Sequence, residues 1–227
     1  MPNGKFNIIG DAFDEAISAM PVPDIDVVFG DLMGFDESDI PDDADESVVP
    51  LDESKVGDLV RFGKFLYYVV VVEGNKRLLL SKECLTFDFD WKYAEDGDYD
   101  LDAEDDFQWV GSVYRKYLNG YFLNAMIQPE QRKRILPVEH VCYGTAGEQI
   151  IQDKVFLLSK DELERYVPKE LWPASVHVMF NDVLKPYFLR VDHVDQVKPY
   201  VVETDGSIDQ LADGYGINRF RPAMWVE

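Results

Sequence analysis

From Val56 onward the apolar positions fall at the spacing of strands and short helices. Residues 56–62 and 65–72 are β-branched and aromatic runs separated by Gly63 and Lys64, and Glu73-Gly74-Asn75 turns the chain into the apolar run at 76–81. Three consecutive strands with short turns predict an antiparallel meander. The unbroken YYVVVV at 67–72 predicts a strand buried on both faces, or a central strand with a helix over it. Gly111 or Ser112 then opens a helix, SVYRKYLN, with Val113, Tyr117 and Leu118 as its apolar stripe and Asn119-Gly120 as its stop. Pro129 opens a second helix, KVFLL at 154–158 predicts a strand, and Ser159 caps a helix with Glu162 three residues on. Residues 173–180 predict a further helix. Strands follow at 187–191 and 200–203, then a turn at Asp205-Gly206 and a last strand at 221–226. The order predicts an α+β fold, a mostly antiparallel sheet with short helices inserted between the N-terminal and C-terminal strands, the last of which return to the first sheet.

Charge divides the 227-residue chain differently. The formal net charge is -22, and it is concentrated in two places. Residues 1–54 hold 15 acidic side chains against Lys5 alone, and residues 87–106 hold 10 against Lys92. The remainder is nearly neutral. We therefore expect an acidic arm and linker over 1–55 and a single domain over 56–227. So acidic a chain is not expected to bind nucleic-acid phosphate, which requires cations to displace counterions.

The arm is too apolar for a simple solvated tail. Asp11 can cap a short helix that places Phe13, Ala16, Ile17 and Met20 on one face and ends at Pro21. Phe29, Leu32 and Met33 belong to a second apolar cluster among aspartates, and DESDIPDDADES at 36–47 reads as a linker. Two roles are open to this arm: an extension that folds back on its own domain, or an amphipathic segment that docks into a groove of a partner protein. The acidic loop alternates Asp96, Asp98, Asp100 and Asp102 before Glu104, spacing that invites calcium. It departs from the EF-hand order, because Gly97 comes too early and no glutamate stands twelfth, so a solvated insertion is expected and no metal.

Catalytic signals are absent from the pattern. His140, His177 and His193 lack helical metal-pair spacing, no nucleophile elbow or Walker sequence is present, and Gly144-Thr145-Ala146-Gly147 and Gly214-Tyr215-Gly216 are short enough to be turns. No cofactor is expected. Cys84 and Cys142 sit in no metal or disulfide spacing, which points to a reducing cytoplasm. No apolar run reaches the length of a membrane span, and the start has no basic stretch leading into an apolar one, so neither membrane nor secretion is expected.

Six phrases together carry a resemblance. VGDLVRFGKF, RLLLSKECL, FQWVGSVYRKYLNGYF, DKVFLLSKDELERY, YFLRV and INRFRPAMWVE resemble, in order and spacing over about residues 56–227, a bacterial domain family of unknown function. The chain departs from its pattern at Tyr187-Phe188-Leu189-Arg190-Val191, where the family has a tryptophan pair and a serine. The closing grammar, an aromatic-Leu-Arg strand, a glycine turn and an Arg-Pro strand, is similar to that of C-type-lectin-like and formylglycine-enzyme-like domains. Arg115, Arg190 and Arg221 match the family's arginines. They could converge on an anionic ligand, or pair with Asp153, Glu162 or backbone carbonyls to hold loops down. Trp109 and Asn119 match as well, as a core anchor and a helix stop.

Three function classes follow from these observations. The first is a non-enzymatic interaction domain of bacterial or phage origin, whose arm docks on a protein partner through Phe13, Ile17, Met20, Phe29, Leu32 and Met33. The second is an acidic decoy that mimics DNA. The third is an enzyme with a pocket in a loop-rich face near Arg190 or Arg221.

Overall fold

Short glycine turns make the first three strands an antiparallel meander, β1 (Leu59–Phe62), β2 (Phe65–Glu73) and β3 (Lys76–Ser81), in a computed structural model of the chain. The structure describes residues 48–86, 108–144, 147–178, 181–191, 198–211 and 219–227. The arm residues Phe13, Ile17, Met20, Phe29, Leu32 and Met33, the acidic loop at 87–106, His193 and the glycines at 214 and 216 lie outside them.

The chain is α+β, and its sheets are mostly antiparallel. After β3 come β4 (Leu85–Thr86), β5 (Ile135–Leu136), β6 (Val138–Gly144), β7 (Gly147–Asp153) and β8 (Phe156–Leu157). They are followed by β9 (Ser175–Val178), β10 (Asn181–Leu184), β11 (Tyr187–Phe188), β12 (Tyr200–Val202), β13 (Ile208–Gln210), β14 (Arg219–Phe220) and β15 (Pro222–Val226). One sheet runs β1-β2-β3-β15-β5, with β8 also on β15, so the last strand does return to the first meander. The second runs β13-β12-β11-β14-β4, and its β11–β14 pair is parallel. Two hairpins, β6–β7 and β9–β10, stand apart from both.

Two short crossings pass directly from one sheet to the other, one between β3 and β4 and one at Arg221 between β14 and β15. Aromatic side chains from the helical segment bridge the same gap. That segment comprises α1 (Val113–Tyr117), a π-helical turn at Leu118–Phe122 and α2 (Leu123–Ala125), and the short α3 (Pro129–Arg132) follows it. Tyr114 packs edge-on against Phe188 at 4.6 Å and Phe220 at 5.5 Å, while Phe122 stacks on Phe65 of β2 at 5.6 Å. The β1–β2 turn is seated on the same segment. Gly63, at φ +63, brings its backbone so near that a Cβ would stand 2.4 Å from the Met126 carbonyl, so no other residue fits this turn without a shift.

Several elements differ from expectation. Asn119-Gly120 does not stop the helix, which passes through a wider π turn and continues to Ala125. The Asn119 side chain is engaged elsewhere: its amide donates to the Val155 carbonyl at 2.8 Å, and its Oδ1 accepts from the N–H of Lys154 at 2.8 Å and of Val155 at 3.1 Å. It ties the strand edge before β8 to the helix. Residues 173–180, expected to be helical, instead contribute the strand Ser175–Val178 of a hairpin. Pairing with Asn181–Leu184 satisfies a backbone that an isolated short helix could not. The YYVVVV strand lies between β1 and β3 as a central strand, but its burial breaks at a bulge between Val69 and Val71 and its far end is half-exposed.

Residues just before Val56 are attached to the body. Val48 bridges Leu59, Val49 N–H donates to the Leu59 carbonyl at 2.8 Å, and Asp52 pairs with Arg134. The described residues all belong to one unit, Glu46–Glu227.

Candidate functional site

The family-like phrases at 107–122, 153–166 and 187–191 meet in one buried polar cluster. Ser112 caps α1 by accepting the Arg115 N–H at 3.2 Å, which fixes the helix start and aims Arg115 at the end of β7. There Asp153, 2% exposed, accepts from Arg115 Nε at 2.7 Å and from the Trp109 indole N–H at 2.8 Å. Burial raises the Asp153 carboxyl above its ordinary value, outweighing the opposing pull of Arg115 and the Trp109 hydrogen bond.

On the neighbouring strand His140 is 4% exposed, and its ring lies 4.7 Å from that of Phe156. Its Nε2 has no hydrogen-bond partner among the described residues. Burial, then Arg190 and Arg115, push its pKa down to about 3. Arg190 stands 5.9 Å from the Phe156 ring centre, donates to the Leu157 carbonyl at 2.8 Å and pairs with Glu162 at 3.0 Å. Glu162 also completes the expected capping box of α4 (Lys160–Tyr166): its carboxylate accepts the Ser159 N–H at 2.9 Å, and Ser159 Oγ accepts the Glu162 N–H at 3.3 Å. One carboxylate thus caps a helix and neutralises a buried arginine.

Arg221 belongs to a second cluster, at the place where the chain changes sheets. It is 2% exposed and donates to the carbonyls of Ser81 at 2.6 Å and Leu171 at 2.6 Å, with longer contacts to Trp172 at 3.4 Å and Lys82 at 3.5 Å. Its guanidinium also lies over the Tyr187 ring, whose hydroxyl donates to the Trp172 carbonyl at 2.9 Å. Both crossings are therefore held by one side chain. Nearby, burial pushes the Cys84 thiol up to about 12, so it is protonated and inert.

Of the three arginines, Arg115 and Arg190 share one cluster and Arg221 lies in the other. Each guanidinium is taken up by Asp153, by Glu162 or by backbone carbonyls. A surface hollow of about 540 Å³ lies elsewhere, lined by Asp52, Gly74, Asn75, Arg77 and Glu227. None of the expected site residues lines it. Among the described residues no three His, Cys, Asp or Glu side chains gather as a metal site, and no helix is long and apolar enough to cross a membrane.

Sequence reasoning missed the β6–β7 hairpin and with it the environment of His140. Its inward face takes His140, Cys142 and Asp153, whereas Val141 and Ile150 are outward and exposed. Apolar residues on both faces hid the period-2 pattern. Gly144 opposite Gly147 was the available signal, since both glycines had been taken for turn residues.

An α+β domain with internally paired arginines is the class that fold and clusters define. The chain belongs to the family described as Domain of unknown function (DUF6273), whose model matches residues 74–227. β3 and every later element lie within that span, while β1 and β2 precede it. No curated protein and no solved structure matches the chain.

The buried imidazole makes the fold acid-sensitive. Its pKa is lower in the folded chain than in the unfolded one, so unfolding takes up a proton and stability is lost as pH falls from 6.5 toward 3. Asp153, whose folded pKa is raised, works in the opposite sense over the carboxylate range. Urea melts at pH 7, 5 and 4 are expected to show a loss of a few kcal/mol that His140→Leu flattens. An unchanged acid limb in that variant would mean that His140 is solvated.

Proposed function

We propose that this chain is a non-enzymatic interaction module, a bacterial or phage protein of the cytoplasm whose acidic arm over 1–55 docks on a protein partner. The observation that carries this reading is the internal use of the body's buried cations. Arg115, Arg190 and Arg221, the side chains best suited to hold an anionic ligand, are engaged with Asp153, Glu162 and backbone carbonyls. A body so occupied acts as a scaffold. The return of β15 to the first sheet also supports a C-type-lectin-like reading of the architecture.

In this reading the arm's apolar residues anchor the partner, and its aspartates keep the segment soluble and steer its approach. The test uses the full chain as bait in host extract and compares Phe13→Ala, Leu32→Ala and Asp36→Asn. Each alanine variant is expected to weaken capture by about 1–3 kcal/mol, roughly 5- to 150-fold, and the asparagine variant to alter mainly association rate and salt dependence. Loss of capture with Asp36→Asn alone would favour the DNA-mimic decoy. Equal capture by all three variants would exclude the arm as the docking element and turn attention to the surface around Arg190 and Arg221.

A further inference from the structure

We infer that the outward face of the β6–β7 ribbon is a second docking surface, built for a partner segment that presents an apolar side chain flanked by lysine or arginine. The inference rests on the interaction-module reading and deepens it. Seven residue pairs run from Val138 opposite Asp153 to Gly144 opposite Gly147. Alternation puts Glu139, Val141, Tyr143, Glu148, Ile150 and Gln152 on the face opposite His140, Cys142 and Asp153. Val141 and Ile150 stand directly across from one another and are 52% and 68% exposed. Four large apolar side chains are about half exposed or more among the described residues, and two of them form this one cross-strand pair. A single exposed aliphatic is ordinary on a protein surface; a matched pair at the centre of a ribbon is a patch.

The flanks of the pair give the partner's chemistry. Gln152 Nε2 donates to Glu139 Oε1 at 3.2 Å on one side, and the Tyr143 hydroxyl donates to Glu148 Oε2 at 2.9 Å on the other. These cross-strand bonds hold one carboxylate at each end of the apolar centre, and the six outward side chains include no lysine or arginine. A second copy of the chain seated on this face would bring four glutamates together, a like-charge juxtaposition that disfavours self-association. A basic-flanked apolar segment satisfies both features at once. The ribbon is also held from behind, by Asp153 on Trp109 and Arg115 and by His140 against Phe156, so the face is presented without a cost of ordering.

Three fluorescein-labelled nine-residue peptides test the inference, identical in their alternating apolar residues and flanked by lysine, glutamine or glutamate. Anisotropy titrations use the full chain, Ile150→Ser, Val141→Thr and the pair Glu139→Gln/Glu148→Gln, with melting temperatures confirming that each variant folds. The lysine peptide is expected to bind best, tenfold or more weaker to Ile150→Ser, and to lose its salt dependence with the glutamine pair. Absence of saturable binding overturns the inference. So does binding that every ribbon variant retains, which would place the peptide on the acidic arm. Sedimentation that shows a dimer broken by Ile150→Ser would make the occupant a second copy and overturn it as well. Phe13→Ala and Leu32→Ala should leave peptide binding unchanged, so failure of the ribbon and failure of the arm are separable.

Discussion

Replacing Arg221 by methionine is expected to destabilise the fold by about 3–5 kcal/mol, a fall in Tm of roughly 10 °C for a chain of this size. The side chain is nearly inaccessible and supplies donors to Ser81, Lys82, Leu171 and Trp172. Methionine fills most of the volume but leaves carbonyls unsatisfied at the place where two strands pass from one sheet to the other. A buried acceptor without a donor loses its full desolvation free energy, which exceeds what the new apolar contacts return. Lysine is expected to recover less than half of the loss, since a single ammonium cannot span carbonyls that a planar guanidinium reaches at several nitrogens. Thermal melts of both variants decide. A methionine variant as stable as the parent would show that water or a neighbouring side chain takes over those carbonyls.

Asp153→Ala should cost about 3 kcal/mol, because it strands the Arg115 guanidinium and the Trp109 indole N–H together. Arg115 retains 18% side-chain exposure and can draw on solvent, which keeps the cost at the lower end for a broken buried pair. Asp153→Asn preserves an acceptor and should lose about 1–2 kcal/mol. The double variant Asp153→Ala/Arg115→Ala is expected to lose less than the two single losses added, since the second change removes the charge that the first left unpaired. Strict additivity in urea melts would mean that the pair is not coupled. The same variants should loosen the base of the β6–β7 ribbon, visible as faster amide exchange at residues 148–153.

Much of the architecture was legible because local signals there agreed with the tertiary outcome. The meander at β1 to β3 has strand-forming residues and glycine turns in the right places, and the Ser159–Glu162 capping box needs only four consecutive residues. The strand Ser175–Val178 and the helix through Asn119 were misread for the opposite reason. In both, a partner outside the segment decides: β10 and the Cys84 N–H, which donates to the Ser175 carbonyl at 2.9 Å, draw Ser175–Val178 into extended pairing, and the edge before β8 takes up the Asn119 side chain, which keeps one bond to the Arg115 carbonyl of α1. Local propensity is a weak preference of a few tenths of a kcal/mol per residue, and one set of long-range hydrogen bonds overrides it.

The candidate sites divide along the same line. That Arg115, Arg190 and Arg221 are important could be read from the phrases they sit in, and Asp153 and Glu162 could be named as partners. Which carboxylate meets which arginine could not be read, because the pairs are separated by 38 and 28 positions and depend on how β7 and α4 pack against α1 and the segment after β11.

By itself the sequence determined the class of fold, the first meander, the two acidic segments and the family phrases, all of which depend on neighbours within a few residues or on composition. Only the tertiary structure decided that one arginine holds both sheet crossings, that His140 is buried beside two arginines, and that Val141 and Ile150 form an exposed pair. Those facts depend on register and on which face of a strand meets the core, and a shift of one residue would reverse each of them.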